Sequence, residues 1–142
     1  NGADKAFWDG FNNCDKLDKK FECYLPWNNF NGLDNAMKHV IDTTRLKNYN
    51  EAKEIMKTIH PSKGNMGRGP TAMHTRNMYQ VLGLDLQTPS CVLFCYAEPD
   101  NKGSIHGGTR SAYELAKIHN IKCYNFYFQS SIDEVEKLLK LN

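Results

Sequence analysis

The feature that most constrains this chain is a glycine turn set between two apolar runs. Cys91-Val92-Leu93-Phe94-Cys95-Tyr96 is nearly continuous in apolar character, and Gly103-Ser104-Ile105-His106-Gly107-Gly108-Thr109 follows it. Ser111 to His119 then has helical apolar spacing, and Lys122 to Tyr127 is a second apolar run. Strand, glycine turn, helix, strand is a βαβ unit, and a continuous apolar run suits a parallel strand covered on both faces. Open α/β sheets bind ligands beyond the carboxyl ends of their strands. There glycine lets the backbone approach a phosphate, and a helix start offers unpaired N–H groups. The turn therefore predicts half of a nucleotide site.

The other half is predicted at the start of the chain. Asn1-Gly2 is a loop signal, and Ala3, Ala6, Phe7, Gly10 and Phe11 recur at helical spacing, with Asp4 at the cap or in the first turn. A glycine turn entering a helix implies a strand ahead of it, so a first strand is expected before residue 1. Phe21-Glu22-Cys23-Tyr24-Leu25 alternates like a strand and is closed by Pro26. Residues 33–48 read equally as a helix or as a strand with a turn. Ala52, Ile55, Met56 and Ile59 mark a helix over 49–60, stopped by Pro61. A basic glycine loop with Lys63 and Arg68 leads to a helix over 71–82, which Gly83 closes. A last helix is expected over 131–141, capped by Ser130 or Ser131. The alternation predicts a single α/β domain over residues 1–142, three-layered and Rossmann-like, on a mostly parallel sheet.

Composition narrows the partners. A net charge of +2 is too small to argue for nucleic acid by itself, and no apolar run approaches the ~20 residues that span a bilayer, so no membrane partner is expected. Five cysteines without CxxC spacing fit buried thiols, chiefly Cys91, Cys95 and Cys123, in a reducing, cytoplasmic setting. No metal site and no cofactor are expected.

The candidate ligand-binding residues are Gly2, Asp4, Trp27, Arg76, Asn77, Gly107, Gly108 and Thr109. Arg76 suits forked phosphate contacts, against the plainer reading of a solvated surface arginine. The Thr109 hydroxyl reads as a phosphate donor, as a helix cap, or both. Trp27 and Phe30 read as edge-of-core rings, or one of them as a stacking surface for a base. Arg76 and Glu98 are the candidate catalytic residues. Glu98 sits just past the central strand, where a carboxylate bonds ribose hydroxyls or acts at an anomeric carbon, or merely fills a charged turn. His60 and His74 are acid–base candidates with no carboxylate partner defined by spacing.

Several segments together resemble a known family. Asn1-Gly2-Ala3-Asp4-Lys5-Ala6-Phe7, Tyr24-Leu25-Pro26-Trp27-Asn28-Asn29-Phe30-Asn31-Gly32, the helix from Arg76 to Gly83, and Gly107-Gly108-Thr109 resemble segments of the SLOG superfamily. That superfamily includes the LONELY GUY phosphoribohydrolases, the Rossmann-like core of the DNA-processing protein A, and small phage and bacterial members. The resemblance implies a Rossmann-like nucleotide-binding domain, a first strand before residue 1 and a homo-oligomer. In the LONELY GUY group an Arg and a Glu carry N-glycosidic cleavage. Arg76 matches the Arg, Asn77 stands where that group has Lys, and Ala112 stands where it has the Glu. Glu114 lies about 200° further round the helix. Binding of a nucleotide or a derived ribose phosphate is the expectation. The alternatives are N-glycosidic hydrolysis of a nucleoside phosphate, with Glu98 or Asp4 in place of the Glu, and single-stranded DNA binding.

Overall fold

The computed structural model describes residues 3–15, 20–63 and 65–140. In chain order the elements are α1 (Ala3–Asn12), β1 (Cys23–Leu25), β2 (Val40–Asp42), α2 (Tyr49–Ile59), α3 (Arg68–Leu82), β3 (Val92–Cys95), α4 (Arg110–Ile118), β4 (Lys122–Asn125) and α5 (Gln129–Leu139). Short 3-10 turns lie at Phe30–Gly32, Thr43–Arg45 and Gly107–Thr109. None of the described helices is long and apolar enough to cross a membrane.

Everything is built around α3. From Thr71 onward all but two of its side chains are buried, because α2 and α4 flank it and β1 crosses it. A helix covered on so many sides cannot carry a polar face unless its polar groups find partners. Thr75 accordingly donates to the Thr71 carbonyl at 2.8 Å. Met56 of α2, Met78, Tyr79 and Val81 of α3 and Leu115 of α4 form the centre of the core. Burying each such side chain contributes about 1.5–3 kcal/mol. Gly83 ends α3 at φ +74°, donating its N–H to the Tyr79 carbonyl, and a methyl group there would lie 3.2 Å from the Thr88 carbonyl oxygen.

The α/β class and the parallel pairing expected from the sequence are both present. β1 pairs with β2 in the register Cys23↔Val40 to Leu25↔Asp42, and β3 pairs with β4 from Val92↔Lys122 to Cys95↔Asn125. Among the described residues these are two separate two-stranded sheets instead of one. One edge of β1 and one edge of β3 therefore carry no neighbouring strand. This explains why the expected fully covered strand is not fully covered. Val92, Leu93 and Phe94 are half-buried, Cys95 alone of β3 is buried, and Cys91 and Tyr96 are exposed.

Other boundaries shift for local reasons. Residues 33–48 resolve into β2 and a 3-10 turn, because the buried Asp42 carboxylate accepts from the Thr44 N–H at 3.0 Å and its hydroxyl at 2.7 Å. α3 begins at Arg68, ahead of Pro70, since a first-turn proline lacks only an N–H that has no helical partner. α5 begins at Gln129 after Phe128, so Ser130 and Ser131 lie inside the helix and neither caps it. Of the cysteines expected to be buried, Cys95 is, Cys123 is half-buried and Cys91 is exposed.

Candidate functional site

Met73, Arg76, Asn77 and Gln80 recur at three- and four-residue spacing, so one side of α3 presents all four to the gap between the two sheets. That gap is a cavity of about 350 Å³. Its walls are Phe21 to Tyr24 on the β1 side and Leu93 to Tyr96 on the β3 side. Ala3, Asp4 and Phe7 of α1, together with Gly108, Thr109 and Ala112, complete it.

Arg76 is the unusual residue. It is 7% exposed, so the surface-arginine reading does not hold. Its Nη1 donates to Asp4 Oδ2 at 3.2 Å and to the Tyr24 carbonyl at 3.4 Å. Its Nε is buried with no hydrogen-bond partner among the described residues. A buried donor of a charged group left unpaired costs more than an ordinary missing hydrogen bond, on the order of 1–3 kcal/mol or above. Asp4 belongs to the first turn of α1, and its side chain remains 67% exposed, so the ion pair is open to water at one end.

Asn77, one position on, is tied down. Its Nδ2 donates to the Gly108 carbonyl at 2.7 Å and to Ser111 Oγ at 3.0 Å. Ser111 is fully buried and its hydroxyl also pairs with His74 Nδ1 at 2.8 Å. This network fixes the start of α4, and with it the Gly107–Thr109 turn, against α3. Gly107 sits at φ +69°, which suits glycine, and a methyl group on Gly108 would meet nothing within 4 Å. Thr109 makes no side-chain capping hydrogen bond to α4, so of its two readings the cap is not formed.

His74 packs against His60 with ring centroids 4.4 Å apart. Burial, then the neighbouring His60, then Arg76 push the His74 imidazole down to about 4, so it is neutral near pH 7. Burial and Arg110 lower His60 as well. His60 Nδ1 pairs with Ser62 Oγ at 2.7 Å.

Asp4, Arg76, Asn77, Gly108 and Thr109 thus line one cavity, with Gly107 adjoining it, and Gly2 lies outside the described residues. Glu98 does not line that cavity. It is exposed and accepts from the Tyr127 hydroxyl at 3.2 Å. Its loop folds back on itself through a Pro99–Ile105 bridge and an Asp100–His106 pair at 2.7 Å. Trp27 lines a different cleft, described below. Ala112 does line the cavity, and Glu114 instead pairs with Lys117 at 3.4 Å. Ser111 and Gln80 were not singled out by the sequence. Ser111 acts through residues 37 and 34 positions away, which no local spacing reveals. No family model, curated protein or solved structure is matched by this chain.

Chemically, the cavity holds a buried guanidinium with a spare donor, a glycine turn at a helix start, the ion-paired Asp4 carboxylate and a second carboxylate, Glu22, that accepts from the Tyr24 hydroxyl. It suits an anion better than it supplies a nucleophile, because burial raises both thiols in its lining, Cys23 and Cys95, the latter to about 11, and the buried Ser111 is not part of that lining.

Proposed function

We propose that the chain binds a nucleotide or a nucleotide-derived ribose phosphate in this cavity, to sense, carry or sequester it. The observation that carries the reading is the unpaired Nε of Arg76, a residue that lines the same cavity as Gly108 and Thr109. A phosphate that turned the guanidinium toward itself would supply the missing acceptor, and arginine forks suit phosphate oxygens. The resemblance to the SLOG superfamily supports the same ligand class. Melting curves with nucleoside mono-, di- and triphosphates and ribose 5-phosphate test it. A bound ligand at 100 times its Kd is expected to stabilise the fold by roughly 2.7 kcal/mol. An unchanged Tm across the panel would sink the proposal. The hydrolytic reading has one support, the Asp4 carboxylate in the same cavity as Arg76. Free base accumulating in the same mixtures would favour it, and intact nucleotide would favour binding alone.

The frame we propose for this site is a Rossmann-like three-layer sheet whose middle is the gap itself. Residues of β1 and β3 line the same cavity, each strand has one edge without a partner strand among the described residues, and both sheets are parallel. One further parallel strand would pair with both edges at the end lined by Phe21, Cys23, Leu93 and Phe94. It would run into α1 at Ala3 and leave the end near Asp4, Gly108 and Thr109 to ligand. A six-residue Val/Ile segment fused ahead of residue 1 is expected to raise the Tm by several degrees. A matching segment with prolines, which lack the ladder N–H groups, is expected to give no rise. Equal melting of the two fusions would overturn the strand.

A further inference from the structure

A second cleft lies on the other side of the α3 start, apart from the Arg76 cavity. It measures about 810 Å³, and its walls include Trp27, Thr44, Tyr49, Lys53, Arg68 and Thr71. It shares no lining residue with the cavity that holds Arg76 and Asn77. We infer that it is a separate binding site for a planar aromatic anion, of the class of a nucleobase carrying a phosphate.

Three observations combine. First, Trp27 is braced by its neighbours and yet partly exposed in the lining of this cleft. It follows the strand-ending Pro26, is propped edge-on by Phe30 at a centroid distance of 4.9 Å and an interplanar angle of 85°, and stays 38% exposed. The ring edge lies over Gly69, where even a methyl group would come to 4.0 Å of its Cη2. A large aromatic kept exposed in this way is a stacking surface. Second, the lining holds two cations, Lys53 and Arg68, and no carboxylate. Neither cation makes an ion pair among the described residues, although other lysines of the chain do so with acidic side chains on their own helix. Two unpaired cations beside a carboxylate-free wall favour an anion. Third, α3 starts here without a side-chain cap, so its positive end adds to the same field. The aromatic face recognises the ring and the cations recognise the phosphate, and each alone would be unremarkable.

The site is tested by Trp27 fluorescence in a Trp8→Phe background, titrated with adenosine 5′-monophosphate, adenosine and inorganic phosphate. Saturable quenching by the monophosphate is expected, at least tenfold weaker with adenosine. Phosphate alone is expected to compete without quenching. A Lys53→Gln/Arg68→Gln double variant is expected to lose at least tenfold in affinity, and Arg76→Met is expected to leave the quenching intact. Should Trp8→Phe fail to fold, isothermal titration of the unaltered chain against the double variant reads the same difference. Equal affinity for adenosine and its monophosphate, or an unaffected double variant, would overturn the site. Loss of quenching with Arg76→Met would also overturn it, since the signal would then come from the Arg76 cavity. The two sites are told apart by which change abolishes the melting shift with adenosine 5′-monophosphate: a shift that survives Arg76→Met and is lost in the Lys53→Gln/Arg68→Gln variant belongs to this cleft, and the reverse pattern belongs to the Arg76 cavity and overturns this site.

Discussion

Replacing Arg76 by methionine is expected to weaken nucleotide binding about 100-fold, or about 3 kcal/mol, while leaving the unliganded chain as stable as before or more so. The two halves of this expectation have one cause. In the unliganded chain the guanidinium is buried with one donor unpaired, and its ion-pair partner Asp4 is two-thirds exposed. A buried charge so thinly compensated contributes little to folding, and a hydrophobe of similar volume in its place is often neutral or stabilising. Methionine fills the same space against Met73 and Tyr24, returns Asp4 to water and leaves no charge behind. What is lost is the donor that a phosphate would use. Urea melts with and without ligand separate the effects. A strong fall in unliganded stability together with unchanged ligand affinity would make Arg76 a structural residue and remove the basis of the proposed site. A third outcome is equally informative. If the variant binds ligand normally but no longer gains stability from a fused Val/Ile strand, Nε serves a strand carbonyl and not a phosphate.

The βαβ unit was legible because its signals are local. The apolar run at 91–96, the paired glycines and the periodic helix that follows each sit within a few residues, and β3, α4 and β4 appear within a residue or two of those marks. The sequence joined Arg76 to Asn77, Arg68 and Lys63 as one basic patch of loop and helix, and the structure keeps Asn77 beside Arg76 in one cavity while Arg68 lines the other cleft. Trp27 was grouped with them from its place in the chain, and the structure separates it. Gly69, Thr71 and Ala72 turn toward its cleft, whereas Met73, Arg76 and Asn77 turn toward the other cavity, as 100° per residue requires. β2 gave little signal because it has three residues, one of them the buried Asp42, whose carboxylate is occupied by Thr44 and Arg45. The division into two sheets had no sequence signal at all. It depends on which strand edges meet, and strand edges are set by contacts far apart in the chain. The His74–Ser111–Asn77 network was hidden for the same reason.

That network sets the acid limit of the fold. Stability is expected to be level above about pH 6.5, to fall by about 3 kcal/mol as the pH drops toward 4, and to change little further on account of His74 below that. His74 is held down to about 4 in the folded chain and titrates near 6.5 when unfolded. The unfolded state therefore binds the proton first as the pH falls, and at about 1.4 kcal/mol per pH unit the loss accumulates between the two values. The geometry gives the cause. Asn77 Nδ2 already donates to Ser111 Oγ, so the serine's own proton needs an acceptor, and neutral His74 Nδ1 provides one at 2.8 Å. Protonating Nδ1 would turn two donors on the same oxygen and strand the hydroxyl proton. It would also place a cation beside Arg76 and against the His60 ring. His60 is lowered too, so its contribution has the same sign. The carboxylates act in a different window. Asp85 and Asp100 are lowered, Asp85 by the Gln87 N–H first and Asp100 by the His106 hydrogen bond first, so any stability they add is lost only below their ordinary range. Urea melts at intervals from pH 7.5 to 4 would trace the curve, and a His74→Asn chain is expected to flatten most of its fall. An unaltered slope in that variant would assign the acid limb to His60, and a stability that rose toward pH 4 would contradict the burial of a neutral His74.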